Sequence, residues 1–462
     1  MDSQQKRNIV IIGGGIIGCT TAYYLTRHSN FNPALHQITL LEATGIAANA
    51  SGKAGGLLGL WAYPACLVPL SYRLHSELAQ EHGGSERWGY RRVKCGSLSA
   101  VVRDEDVRKA AARKVARGHA DAGTAEARPN GPANVGNGGQ GSPADLPIQG
   151  ISGGPREKAW EKLPKQDDNA ATLLTDSLVP ADLDWIDGAL VEYYQEMGKP
   201  GTTDTAQVHP YYFTTAMAEL ARDKGVDIRL RAKATQINHS KAGVQSIEYE
   251  DRDTGSTNTI DGVTDVVVTA GPWTGKLFPR SRIEGIRAHS VVFDVDVSPY
   301  AVFTEINLPP GYVPEHRALK GQKRNHKGNV DPEIYARPGS EVYVCGEPDI
   351  ALPLPDTADL VQVDEAQCDD ITAYVSTISP QLAAAPVKTK QACYLPRQMR
   401  FGQERGPIIG ATSVPGLYVA SGHTCWGIQN GPATGLLMAE LLLDGKATSA
   451  DISELDPRKF KV

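Results

Sequence analysis

The sequence predicts two architectures in one chain: a layered α/β unit, plus an α+β unit built on a mostly antiparallel sheet. Three observations carry this. Asn8 to Ala43 (NIVIIGGGIIGCTTAYYLTRHSNFNPALHQITLLEA) reads as strand, glycine turn, helix, strand and terminal acid. Arg287 to Asp296 and Glu341 to Cys345 follow strand patterns, the first alternating with the period of two of a half-buried strand. Near the other end, Ile408 to Gly445 again gives strands, a glycine-bearing turn and a helix. The α/β unit is therefore left and re-entered.

In order, Ile9 to Ile12 is an apolar run too short to cross a membrane and bounded by glycine, as a buried parallel strand should be. Gly13-x-Gly15-x-x-Gly18 follows. The first glycine permits the tight turn, the second lets a pyrophosphate approach the backbone, and the third lets the next helix pack closely on the strand. That helix, about Ile16 to His28, keeps Ile17, Thr21 and Leu25 on one face and offers an anion its N-terminal amides and dipole. A second strand, Ile38 to Leu41, ends at Glu42. A carboxylate there can accept both hydroxyls of an adenosine ribose and repels a 2'-phosphate. A lone glycine fingerprint is weak, but here strand, helix, second strand and acid stand in order, which favours a Rossmann-like dinucleotide-binding unit over a plain turn.

Gly45 to Leu60 is rich in small residues with Lys53 its only charge, and reads as a second cofactor-contacting loop. Pro69 to His82 is predicted helical, and Trp88 to Val102 as strands. From Asp104 to Gly154 a charged, Ala-rich stretch decays into PNGPANVGNGGQGSPADLP, which cannot bury enough apolar surface to offset its ordering entropy. A disordered insertion is expected, with a solvated helix rather than a basic tether near Arg108 to Arg117. Ala181 to Tyr194 suggests strand segments. His209-Pro210 starts an amphipathic helix stopped by Gly225, and strands follow at Val226 to Leu230 and Ala234 to Ile237. A hairpin is expected at Asp253-Thr254-Gly255, then a buried strand in DVVVTAGPWT (Asp265 to Thr274) and a helix over Gln362 to Ile378. Pro432 fits the first position of the last helix, which the loop from Ser421 to Gly431 would feed. The expected division is 1–85, 205–282 and 401–462 for the nucleotide domain, and 86–103, 155–204 and 283–400 for a discontinuous substrate domain. The insertion occupies 104–154.

Bulk properties narrow the function. A net charge of -6 suggests no nucleic-acid partner. No apolar run reaches transmembrane length. MDSQQKRN leads straight into the first strand without a signal peptide, and RKFKV is not a peroxisomal address, so a cytoplasmic protein is expected. Seven scattered cysteines without C-x-x-C pairs argue against a disulfide framework or a metal site.

IVIIGGGIIG with Glu42, the ASGKAGGLL loop, the VVVTAGPWT strand end and PIIG...GLYVASGH...GPATG resemble the FAD-dependent oxidoreductases of the D-amino-acid oxidase, glycine oxidase and monomeric sarcosine oxidase family. SGHTCWGIQNGPATG, VHP and EVYVCGEPD are most similar to a fungal branch of oxidoreductases. The resemblance implies FAD rather than NAD. It places Gly13, Gly15 and Ile17 near the pyrophosphate, with Ile16 and Gly18 in the same turn. It places Glu42 and Ala43 at the adenosine ribose, and Ser51, Gly52, Lys53, Gly55, Gly56 and Leu57 along the pyrophosphate and flavin. Ala234 would bind adenine through its backbone. Ala270, Gly271 and Trp273 would lie near the phosphates and ribityl chain, and Gly422, His423, Gly427 and Ile428 at the edge of the isoalloxazine. Cys393 falls where sarcosine oxidases carry a cysteine bonded to the flavin; the alternative is a buried structural thiol.

Family members hold a substrate carboxylate with arginine or lysine. Here Leu395, Cys425 and Trp426 stand at the matching places, leaving Arg397 and Arg400 as nearby substitutes. An amine or amino-acid-like small molecule, rather than a simple amino acid, is therefore expected as the substrate, oxidised by hydride transfer to flavin N5 with O2 as acceptor giving H2O2. Lys53 and His423 are the candidate catalytic groups, and Trp426 a stacking wall or core residue. A nicotinamide-linked dehydrogenase, or a flavin-fold scaffold without turnover, for example in trafficking, are the alternatives.

Overall fold

The computed structural model describes residues 6–109, 178–198, 204–324, 326 and 328–462. From residue 110 the expected insertion, and the basic stretch within it, lie outside these residues; 104–109 are helical.

One sheet has six strands in the order Ile408–Ala411, Leu417–Ser421, Asp265–Val268, Arg7–Ile12, His36–Leu41 and Asp227–Arg229. Five are parallel and the Ile408 edge strand is antiparallel. Its central strands are almost wholly apolar because both faces are covered. On one face lie the helices α1 (Ile16–Leu25), α2 (Val68–His82) and α3 (Pro210–Arg222). The helix α4 (Glu365–Ser376) belongs to the other unit, and α5 (Gly427–Leu443) returns to the first. A three-stranded meander, Ala232–Ser240, Gly243–Asp251 and Ser256–Asp261, covers part of the opposite face, its last turn at the expected Asp253-Thr254-Gly255.

α1 buries Ile17, Thr21 and Leu25 and every other residue but Tyr24, because α3 and α5 pack on both its sides. One sequence reading needs correction. α5 starts at Gly427, five residues before Pro432, which lies inside it. A proline there leaves the carbonyl of Ile428 without its helical donor. The buried His75 of α2 fills the gap: its Nε2–H donates to Ile428 O at 2.9 Å. The glycines of GPATG serve packing instead. A Cβ on Gly431 would stand 2.6 Å from Ile16 Cγ1, and one on Gly435 2.5 Å from the Thr20 carbonyl carbon. One turn apart on α5, they let α1 and α5 cross almost backbone to backbone. Thr20 Oγ1 closes the contact by donating to Gly431 O at 2.9 Å.

The second sheet has eight strands in the order Gln403–Arg405, Val387–Arg400, Ile283–Asp294, Glu341–Cys345, Glu333–Arg337, Tyr300–Asn307, Lys94–Val101 and Val191–Glu196. All neighbours are antiparallel except Tyr300–Asn307 with Lys94–Val101. Val291, Phe293, Val302, Ile334, Val342 and Val344 turn one face to α4. Alternate residues turn the other face toward the nucleotide layer. Tyr343 stands opposite both Tyr335 and Val292, Cys345 opposite both Glu333 and Ser290, and Cys393 opposite Ala288.

Candidate functional site

A long cleft runs across the carboxyl ends of the parallel strands, where open α/β sheets bind ligands. Ile12, Leu41, Thr269, Ala420 and Ser421 mark the strand ends along it. The N-termini of α1 and α5 both open onto it, through Gly15, Ile16 and Ile17 and through Gly427 and Ile428. Neither helix carries an acid in its first turn or a side-chain cap on its own N-cap residue, and at α1 only Ile16 N–H has a side-chain partner, Ser51 Oγ at 3.0 Å. Two uncapped positive helix ends therefore face one cleft, which suits a ligand negative at two separate points.

The turn before α1 is tight for the reason the glycines supply. Gly13 has φ +117°, and a Cβ on it would lie 2.5 Å from Thr269 O. A Cβ on Gly18 would lie 2.0 Å from Gly13 O, so the third glycine sets the helix against the strand. Glu42 ends its strand at the cleft and accepts from Gly14 N–H at 2.7 Å, Thr44 N–H at 2.8 Å and Thr44 Oγ1 at 2.9 Å. Burial pushes its carboxyl up, against the pull of these donors and of Arg252. Three donors leave it capacity for further hydroxyls.

Of the residues expected at the cofactor, Gly13, Gly15, Ile16, Ile17, Glu42, Ala43, Ser51, Ala234, Ala270, Gly271, Trp273, His423, Gly427 and Ile428 line the cleft. Gly18, Gly52, Lys53, Gly55, Gly56, Leu57, Cys393, Gly422 and Trp426 stand behind its wall. The physical reasons differ. Gly55 admits the Tyr335 ring, which would lie 2.0 Å from a Cβ, and Gly56 with φ +81° would meet Val208 O at 2.0 Å, so both dock the loop. Leu57 enters a strand paired with Thr205–Gln207. The Gly422 turn aims its neighbours Ser421 and His423 at the cleft. Cys393 is buried, and burial pushes its thiol up to about 11, with Lys53 opposing. Leu395, two residues on and on the same sheet face, lines the cleft instead. Trp426 packs edge-on against Trp61 and Tyr63 at 5.5 and 5.8 Å.

Arg397 pairs with Glu284 at 2.7 Å and Arg400 binds Phe460 O; neither reaches the cleft. Among the described lining residues the cations are Lys233 and Lys276, beside Asp356 at the adenosine end. There a strap around Pro355 closes over the cleft. Its carbonyl accepts from Trp273 Nε1 at 2.8 Å and Lys276 Nζ at 2.9 Å, while Arg252 bridges Ala43 O and Asp359. Sequence reasoning missed this strap, since nothing in its Pro- and Asp-rich composition points at a ligand.

His423 is buried, with Nε2 3.0 Å from Thr434 Oγ1, and burial lowers its pKa to about 3. It is a neutral group at working pH. Lys53 is half-buried; its Nζ donates to Ala392 O at 2.9 Å, partial burial lowers its pKa, and among the described residues no acid pairs with it. Glu333 is the converse: burial raises its pKa, and among the described residues no cation pairs with it.

The family model for FAD-dependent oxidoreductases of the DAO type matches residues 8–144 and 156–441. The chain belongs to the DAO family of FAD-dependent oxidoreductases. "Putative oxidoreductase TDA3" of Saccharomyces cerevisiae is 36% identical, across 99% of this chain and 96% of that protein. A Schizosaccharomyces pombe relative described in the same words is 32% identical across 98% of both. Among solved structures, the glycine oxidase of Geobacillus kaustophilus superposes with a TM-score of 0.59 at 18% identity, covering 98% of both chains. The L-proline dehydrogenase of P. horikoshii does so with 0.59 at 16%, covering 99% of this chain and 98% of its own. These two similarities speak for the fold. FAD, the family's cofactor, fits the cleft on its own terms: a glycine cradle that a Cβ would fill, two uncapped helix ends and a buried carboxylate with capacity for hydroxyls. Among the described residues no helix is long and apolar enough to cross a membrane, and no cluster could hold a metal ion.

Proposed function

We propose that this FAD-dependent oxidoreductase oxidises an amine or amino-acid-like substrate. The observation that carries the reading is the pairing of two uncapped helix N-termini on one cleft with a flavin end that has no arginine among its described lining residues. FAD bound in the cleft would supply the redox chemistry, as acceptor of a hydride from the C–H alpha to the substrate nitrogen, with O2 as the final oxidant giving H2O2.

The chain's part is to bind, orient and polarise. Gly13, Gly15, Ile16 and Ile17 hold the pyrophosphate at the α1 terminus. Glu42 and Ala43 hold the ribose, and Ala234 the adenine. Gly427 and Ile428 would offer the α5 terminus to the part of a bound flavin that gains negative charge on reduction. His423 stays neutral and orients rather than charges that edge. Lys53, a half-buried ammonium held on Ala392 O, would add positive potential from behind the loop. Cys393 is buried and does not line the cleft, which supports a flavin held without a covalent bond. Both an oxidase and a dehydrogenase share this fold, and O2 as acceptor follows the glycine oxidases among those neighbours.

The test is anaerobic mixing of the FAD-loaded protein with a panel of amines and amino acids. Bleaching of the flavin band, with peroxide formed when air is admitted, is expected. A flavin reduced by dithionite but by no amine or amino acid would refute the reading and leave the scaffold alternative.

A further inference from the structure

The sheet face turned toward the nucleotide layer carries a cluster that FAD does not account for. Glu333 sits in its middle, between Phe303 on one neighbouring strand and Cys345 on the other. Tyr335, two residues on, donates its hydroxyl to Glu333 Oε2, and Cys345 Sγ lies 3.7 Å from the same oxygen. Tyr335 stacks on Tyr343 with ring centres 6.0 Å apart and planes 4° from parallel. Phe303 meets Tyr335 edge-on at 5.9 Å, and Trp61 from the facing loop meets Phe303 at 5.8 Å.

This is a costly arrangement. A carboxylate removed from bulk water among rings is destabilised unless a cation or several donors compensate. Glu333 has one hydroxyl and one weak thiol donor, and among the described residues no lysine, arginine or histidine within ion-pair distance. Apolar residues in its place would pack more cheaply. Glu333, with Tyr335 on it and a chain of rings running from Tyr335 to Tyr343 and through Phe303 to Trp61, makes a receptor for an organic cation: the carboxylate takes the charge, and the ring surfaces take the alkyl groups. The same sheet face continues through Ser290 and Cys393 to Leu395, which lines the cleft, so the cluster and the flavin end share one wall.

We infer that Glu333, with Trp61, Phe303, Tyr335 and Tyr343, is the substrate's charge-recognition site, and that the substrate is an organic ammonium ion without a carboxylate. This rests on the amine-oxidation reading above and names its substrate class. Specificity follows from both signs. A carboxylate-bearing amino acid would bring its anion toward Glu333 and find no arginine. A cationic amine finds a counter-charge and an aromatic wall.

The test is calorimetric titration of the FAD-loaded protein with benzyltrimethylammonium, a cation that cannot be oxidised, against benzoate and benzyl alcohol. The cation is expected to bind, and to bind better than either comparison compound. Glu333→Gln keeps shape and removes charge; it is expected to weaken the cation by about tenfold or more and to leave benzyl alcohol unchanged. Phe303→Leu is expected to weaken it severalfold, and serves if Glu333→Gln does not fold. Equal binding of the cation by wild type and Glu333→Gln, or tighter binding of benzoate, would overturn the inference. Binding heat is read with a cation that cannot turn over, so cation binding by a protein whose flavin no oxidisable amine or amino acid bleaches would fault the oxidation reading instead.

Discussion

Gly18→Ala isolates the demand that α1 lie hard against its strand. The new Cβ would be placed 2.0 Å from Gly13 O and 2.8 Å from Thr269 Oγ1, and neither is the free end of a flexible side chain. The helix must retreat by about 1 Å or more to restore contact distances. Overpacking of this kind costs about 1–3 kcal/mol, while alanine returns about 1 kcal/mol of helix propensity. The fold should therefore lose only about 0–2 kcal/mol. FAD should lose more, because the retreat carries the amides of Gly15 to Ile17 away from the pyrophosphate. A helix end facing an anion contributes up to about 2 kcal/mol when partly buried, and each hydrogen bond to a charged group about 1.5–3 kcal/mol. Misaligning one such bond predicts a tenfold to hundredfold weaker FAD, at about 1.4 kcal/mol per tenfold. The assay is titration of apoprotein with FAD by flavin fluorescence, beside a thermal melt. Gly45→Ala, whose Cβ would meet nothing within 4 Å, is the control and should bind as wild type. A folded Gly18→Ala protein with wild-type FAD affinity would refute the reasoning.

Other outcomes follow from the same structure. His75→Leu strands the Ile428 carbonyl that Pro432 leaves open, and should cost about 1–3 kcal/mol by urea denaturation, with weakened FAD binding. Lys53→Met should lower the flavin midpoint potential by about 30 mV if the ammonium contributes about 1.4 kcal/mol to the two-electron reduced state; an unchanged potential would leave Lys53 a purely structural residue. Burial lowers His75 to about 4 and His423 to about 3, below the usual 6.5, so the unfolded chain binds more protons between those values. Stability should be full above pH 6.5 and fall as pH drops toward 4, each histidine adding up to about 1.4 kcal/mol per pH unit. Urea midpoints at pH 5 and 7 check this, and His423→Gln should show a shallower decline.

The nucleotide half was legible because its constraints are local. Strand, turn glycines, helix and acid sit within Asn8 to Ala43, and each glycine has its reason within that stretch or at Thr269. The end of the chain was less so. GPATG looked like a loop before a helix because proline favours a first turn, but the missing bond is supplied by His75 from another helix, which no local pattern reveals. Gly55 and Gly56 likewise answer to Tyr335 and Val208, distant in sequence. The strand Val387–Arg400 escaped notice because its exposed start is polar and Pro396 interrupts its pattern. Glu333 read as one more acid; only register, which sets it between Phe303 and Cys345, makes it an unpaired charge among rings.

The flavin content of the purified protein tests the central claim most directly. The account predicts about one FAD per chain, with the yellow colour released to the supernatant by acid precipitation because Cys393 stands outside the cleft lining. A folded, colourless protein that takes up no FAD from excess would contradict it, and flavin held in the pellet would contradict the non-covalent assignment.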